Sequence, residues 1–268
     1  MKRPRIFVLL ALSLVANFLG LAIAGTLIYK RGGIAYLREK VESRITPPVA
    51  RPAFELARPG SPWERSIFRS PIYQFSHQVH QAQQHTPADV VILGGTPIFR
   101  GDWNGFLRHP DVRNRGIEFD TTPTLLTRLP TVLQGTPRKI ILMIGINDLF
   151  MKREIPKILE YYTVILDQIA EESSNTEVEI FPVMPIHKGL FQHASPGWLT
   201  DNKKTQELNS LLGELITNRA RKEERFHAAS YDYFTDADGN FATDYTYDGI
   251  HPSAQWYAEM SEFIRPLL

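Results

Sequence analysis

The chain has no cysteine, no internal repeat, no low-complexity tract and almost no net charge across its 268 residues. Without cysteine no disulfide can brace the fold, but a chain of this length buries enough apolar surface to fold without one. The same absence leaves the compartment open, because cysteine-free chains suit reducing and oxidising surroundings alike. A formal net charge of +1 offers no polybasic footprint, which argues against a nucleic-acid partner. Hydrophobic residues make up 43% and charged residues 22%, a balance that excludes wholesale disorder. The length allows one sizeable domain or two small ones.

The net charge conceals a split. Residues 1–31 contain Lys2, Arg3, Arg5, Lys30 and Arg31 and no acid, whereas the rest of the chain holds 25 basic and 29 acidic residues. Between Arg5 and Lys30 lie 24 uncharged, mostly aliphatic residues, long enough for a membrane-spanning helix, which needs about 20. No polar stripe interrupts the run, so a buried core helix fits it poorly. A cleavable signal peptide is the alternative, with Ala22-Ile23-Ala24 as a cleavage site. The apolar region of such a peptide is usually shorter, about 7–15 residues, so an uncleaved single-pass anchor over residues 6–29 is the expectation. Basic residues flank both ends of the run, and the positive-inside rule gives little orientation.

Residues 30–65 read as a tether, with Pro47, Pro48, Pro52, Pro59 and Pro62 among Arg and Ser; prolines fix φ and favour extended, semi-rigid chain. Residues 66–268 then read as one globular domain. Residues 88–94, 139–145 and 178–183 are short apolar runs expected of strands buried on both faces, with 226–231 a weaker fourth. Helical patterns cover 123–133, 154–172, 201–222 and 253–267. Alternation of this kind predicts an α/β fold, a three-layer sandwich around a parallel sheet. Ligands of such sheets bind beyond the carboxyl ends of the strands, which directs attention to residues 94–97, 115–120 and 145–148.

Chemistry-bearing residues stand at these places and near the carboxyl terminus. Asp248 precedes His251 by three residues in Tyr247-Asp248-Gly249-Ile250-His251-Pro252. Its carboxylate can fold back onto the imidazole, fix the tautomer and stabilise the cation, as the third member of a nucleophilic triad does. Asn147, in Gly145-Ile146-Asn147-Asp148 after a buried strand, can offer its amide to a developing oxyanion or cap a turn. Gly94-Gly95 lacks the dinucleotide and phosphate-loop spacings. Asp236 to Asn240 has glycine at the fourth position of a calcium-type loop and no glutamate at the twelfth, so a plain turn is expected. His77, His80 and His85 lie in a Gln/His-rich stretch expected to be helical; no carboxylate is close in sequence, which leaves them as solvated surface rather than metal ligands. No cofactor is called for. The long loop over 187–199 could line a pocket or act as a lid.

In order, the Gly-rich turn at 94–96, N-R-G-I and D-T-T at 114–122, G-x-N-D at 145–148 and D-G-I-H-P at 248–252 resemble the SGNH, or GDSL-type, hydrolases, over roughly residues 88–268. That resemblance implies a flavodoxin-like α/β/α sandwich and metal-free hydrolysis of esters, thioesters or O-acetyl groups. Carried over by position, it makes Thr96 the nucleophile, His251 its base and Asp248 the orienter. The backbone N–H groups of Thr96 and Phe119 and the Asn147 side chain become oxyanion donors. Two positions depart from the family pattern: Thr96 stands where the family has serine, and Phe119 where it has glycine. A threonine methyl restricts χ1, and a positive φ at Phe119 would be costly. Thr96-Pro97 is also the sequence of a helix N-cap followed by proline, which would turn the hydroxyl onto the N–H of Phe99. The resemblance implies an ester hydrolase with its domain on the exported side; joined to the anchor read from residues 6–29, it gives the expectation of a membrane-tethered enzyme acting on an acylated small molecule, lipid or envelope polysaccharide. The alternatives are a catalytically silent protein of this fold that binds a glycan, lipid or protein, and an O-acyltransferase.

Overall fold

The computed structural model describes residues 62–194, 202–229 and 234–268, all within one compact unit spanning 53–268. The run at residues 6–29 and most of the tether lie outside the described residues. Among the described residues no helix is long and apolar enough to cross a membrane.

Five strands carry the domain: β1 (Val90–Gly94), β2 (Val112–Gly116), β3 (Lys139–Met143), β4 (Glu177–Ile180) and β5 (Phe226–Ala228). They form one sheet in the order β2-β1-β3-β4-β5, every pairing parallel. Strand β1 is buried along its whole length, and its alternate residues feed two different cores. Val91 and Leu93 join Ile140, Leu142, Val178 and Ile180 in one core. That core is closed by α5 (Thr122–Leu133), α7 (Ile155–Glu172) and α9 (Lys203–Ala220). Val90 and Ile92 join Trp103, Trp256 and Met260 in the other, beneath α4 (Trp103–Leu107) and α10 (Ala254–Ile264). Each large aliphatic side chain buried this way contributes about 1.5–3 kcal/mol, which is why apolar runs unbroken by polar residues fold as central strands. The expected three-layer α/β sandwich is present.

Strand β2 and the first helix lie outside the sequence expectations, whereas the helix around His77 and His80 agrees with them. Strand β2, sequence Val-Arg-Asn-Arg-Gly, is polar because it is the sheet edge, and an apolar-run criterion passes over it. Helices α1 (Pro62–Phe68) and α2 (Pro71–Ala82) precede β1, and Tyr73 of α2 packs with Ile67 and Ile117 in a small third core. Within α2, His80 is buried rather than solvated. Burial, reinforced by the charges of Arg128 and Arg115, pushes its imidazole down to about 2, so it is neutral at physiological pH. Among the described residues no cluster of His, Asp or Glu could hold a metal.

The register fixes where chemistry can occur. Gly94 lies opposite Gly116 on one side and Met143 on the other, so the carboxyl ends of β1, β2 and β3 form one row. The chain passes from β1 to β2 on one flank and then crosses to β3 on the other. The gap between β1 and β3 is thus the switch point at which open α/β sheets bind ligands.

Candidate active site

Three loops leave that row. After β1 the chain turns through Gly95 into α3 (Thr96–Phe99). Gly94 must be glycine, because a Cβ there would sit 2.0 Å from the Met143 carbonyl oxygen. Gly95 holds the N-cap position and makes no side-chain cap. Thr96 is therefore the first residue of the helix, and the N–H of Phe99 bonds the carbonyl of Gly95 at 3.0 Å. The helix-cap expectation for Thr96 is overturned: its Oγ1 instead accepts the N–H of Phe119 at 3.0 Å.

Phe119 lies in the loop after β2 with φ +62°, the left-handed region that costs a residue with a Cβ about 1–2 kcal/mol. Its neighbour holds it there. The buried Asp120 carboxylate receives Arg128 Nε at 2.9 Å and Nη2 at 2.6 Å, and Thr124 Oγ1 at 2.6 Å. Arg128 also donates to the carbonyls of Arg115 at 2.7 Å and Gly94 at 3.2 Å. Burial pushes the Asp120 carboxyl up and the guanidinium opposes it. A pair of this kind, enclosed and doubly bonded, costs about 3–5 kcal/mol to break by deleting one member, so the loop end is rigid.

The third loop follows β3. Gly145 adopts φ +126°, and a Cβ would meet Val183 Cγ2 at 2.8 Å; the sharp turn starts α6 (Ile146–Phe150). Asn147 is buried and its Nδ2 donates to the Asp120 carbonyl at 2.9 Å, one of the two hydrogens an amide carries. Asp148 turns the opposite way. Its Oδ2 accepts the Thr122 N–H at 3.0 Å and its Oδ1 the Thr122 hydroxyl at 2.7 Å, holding the first turn of α5. Burial pushes Asp148 up to about 6 against the opposing charge of Arg153. Asp148 is thus a brace that joins two site loops, a role its place in the motif did not reveal.

His251 reaches the site from the loop before α10. Its Nδ1 lies 2.6 Å from Asp248 Oδ2. Asp248 Oδ1 accepts the backbone N–H of His251 at 2.8 Å and of Ile250 at 3.1 Å. Burial alone would raise the Asp248 carboxyl, but these three donors hold it below the usual carboxylate range. Gly249, at φ +92°, allows the fold-back: a Cβ would lie 2.5 Å from the Phe191 backbone nitrogen, and its carbonyl accepts the His187 N–H at 2.7 Å.

Thr96, Phe119, Asn147 and His251 line one cavity of about 170 Å³, whose other walls include Ile146, Phe150, Met184, Pro185, Phe191 and Ile250. Asp248 stands behind the imidazole. All five site residues read from the sequence thus converge, although no hydrogen bond joins Thr96 Oγ1 to His251 Nε2. The apolar walls were not legible, except that Phe191 falls in the 187–199 loop, for which pocket lining was one of the options; it sits in α8 (Lys188–Ala194), and residues 195–199 lie outside the described residues. Chemically, the cavity offers a hydroxyl, an oriented imidazole, amide donors and an apolar wall, the parts that acyl transfer requires.

The profile of the GDSL-like lipase/acylhydrolase family matches residues 95–259. The chain belongs to this family. Solved structures agree at the level of fold. A Streptococcus pneumonia protein named for platelet activating factor superposes with a TM-score of 0.68 at 22% identity, over 76% of this chain and 95% of its own. A GDSL-like lipase from Bacteroides thetaiotaomicron gives 0.58 at 17% identity, over 72% of this chain and 97% of its own. No curated protein matches the chain. Family membership implies hydrolysis of acyl esters and leaves the substrate open.

Proposed function

We propose that the protein is a carboxylic ester hydrolase of the GDSL-like family that removes O-acyl groups from a lipid or envelope polysaccharide, using Thr96, His251 and Asp248. Residues 6–29 anchor it in a membrane, for which the support is the long uncharged run itself, and the domain lies on the exported side, for which the support is the family resemblance. The observation that carries the catalytic reading is the His251–Asp248 pair at 2.6 Å facing a cavity that Thr96 and Asn147 also line. In the proposed cycle His251 Nε2 takes the Thr96 hydroxyl proton as Oγ1 attacks the ester carbon. The carbonyl oxygen, now negative, receives the Phe119 N–H that Oγ1 held at rest, together with Asn147. The imidazolium then protonates the departing alcohol, and water activated at the same nitrogen releases the acid.

A second reading, a silent protein that binds its ligand in the same cleft, draws support from the resting contact of Thr96 Oγ1 with the Phe119 N–H. Assays of p-nitrophenyl acetate and butyrate separate the two, with wild type, Thr96→Ala, Thr96→Ser and His251→Ala. Hydrolysis lost in both alanine variants is the result expected of the enzyme. An inert wild type would overturn it, and turnover gained by Thr96→Ser alone would mark a degenerate nucleophile in intact surroundings.

A further inference from the structure

We infer that the rim of the cavity beside His251 is a subsite for the alcohol half of the ester, and that this half is an uncharged sugar ring. The inference rests on the ester-hydrolase reading and narrows its substrate. Three side chains from separate segments meet just outside the cavity wall, Tyr247 against His251 and Glu118 next in sequence to Phe119. The Tyr247 ring stacks on the His251 ring with centroids 5.8 Å apart and planes 16° from parallel. It nevertheless remains 61% exposed, so the stack leaves much of the ring open to solvent. The Tyr247 hydroxyl accepts Arg100 Nη1 at 2.7 Å, and Arg100 Nη2 donates to Glu118 Oε1 at 2.6 Å. The ring is fixed at its face by His251 and at its edge by Arg100, which lowers the ordering cost of binding.

The charges select the occupant. A phosphate or carboxylate would be drawn to Arg100, but Glu118 stands against the same guanidinium and cancels the attraction. A quaternary ammonium would suit the aromatic face, yet it would meet Arg100 at the ring edge. An alkyl chain would strip water from the remaining guanidinium N–H groups and the Glu118 lone pairs without replacing their hydrogen bonds, which is costly. A pyranose or furanose ring avoids all three penalties. Its C–H face lies on the open tyrosine, and its hydroxyls meet donors and acceptors already held in place; two of the five guanidinium N–H groups are used, and the others are free to donate. The subsite sits directly beside the base that must protonate the departing alcohol.

The test compares acetate release from 6-O-acetylglucose and partially O-acetylated xylo-oligosaccharides with release from octyl acetate and p-nitrophenyl acetate. Wild type, Arg100→Met and Glu118→Gln are measured, with circular dichroism as the check on folding. A charge-assisted hydrogen bond contributes enough for roughly a tenfold effect or more. Each variant is expected to lose at least about tenfold more kcat/KM on the sugar esters than on the two simple acetates. Equal losses on all substrates would overturn the subsite and leave Arg100 as a support for Tyr247 and His251. Preference for octyl acetate, unaffected by either variant, would overturn it in favour of a lipid alcohol. Titration of Thr96→Ala with 6-O-acetylglucose by saturation-transfer NMR separates this claim from the catalytic one. Binding that Arg100→Met abolishes sustains the subsite even if wild type is inert. No binding, in a protein that hydrolyses simple acetates, sinks the subsite alone.

Discussion

Phe119 offers the sharpest test of the site geometry, because one backbone angle there reverses a normal rule. At most positions glycine is less stable than alanine by about 0.5–1 kcal/mol, since it gives up more conformational freedom on folding. At φ +62° alanine carries the left-handed penalty of about 1–2 kcal/mol, which glycine escapes. Subtracting the entropic loss at the middle of both ranges leaves Phe119→Gly more stable than Phe119→Ala by about 0.75 kcal/mol. Both variants delete the same ring, so its packing cancels in the comparison. Relative to wild type both should be weaker. The ring is 38% exposed, so roughly three-fifths of an aromatic side chain loses its burial, about 3 kcal/mol as an upper bound. Urea denaturation of the three proteins reads the order directly. In a domain of this size the glycine–alanine gap should also appear as about 1–4 °C in Tm. An alanine variant as stable as the glycine variant, or more so, would refute a left-handed residue at 119 and, with it, the alignment of this N–H on Thr96.

Two other outcomes follow from the loops around the site. Asp148, pushed up to about 6 by burial, holds a proton in the folded state that the unfolded chain, near 3.9, releases more readily. Its contribution to stability is therefore complete below about pH 4 and is lost as pH rises through about 6, by up to about 3 kcal/mol; the wild type minus Asp148→Asn difference, measured by denaturation from pH 4 to 7, should fall along that range, and a rise would contradict the burial account. Gly249→Ala would set a Cβ 2.5 Å from the Phe191 nitrogen and 2.8 Å from the His187 carbonyl oxygen at φ +92°. It should cost about 2 kcal/mol or more and lower esterase turnover by displacing His251; an unchanged Tm would contradict the packing of this loop on α8.

The Asp248–His251 pair was legible because both members lie within one short loop, where an i, i+3 fold-back needs only a glycine between them. Asn147 was legible by its place after an apolar strand. The contact of Phe119 N–H with Thr96 Oγ1 was not, for it joins residues 23 apart in sequence through the register of β1 with β2. Strand β2 escaped notice for a related reason: an edge strand has only one paired side and tolerates Arg-Asn-Arg, so it carries no apolar run. The burial of His80 and the role of Asp148 depend on which helix covers which loop, and neither neighbour is close in sequence.

By itself, then, the sequence determined the α/β class, the central strands and the motif order, because these follow from local periodicity and from spacings along the chain. It also revealed that the near-zero net charge combines a basic, apolar amino-terminal segment with a mildly acidic remainder. The tertiary structure alone decided that Thr96 is the first residue of its helix rather than the cap. It likewise decided that its hydroxyl meets the Phe119 N–H, and that Arg100 bonds both Glu118 and Tyr247. These depend on aligning the carboxyl ends of separate strands, a relation set by long-range hydrogen bonding in the sheet and not by any stretch of neighbouring residues.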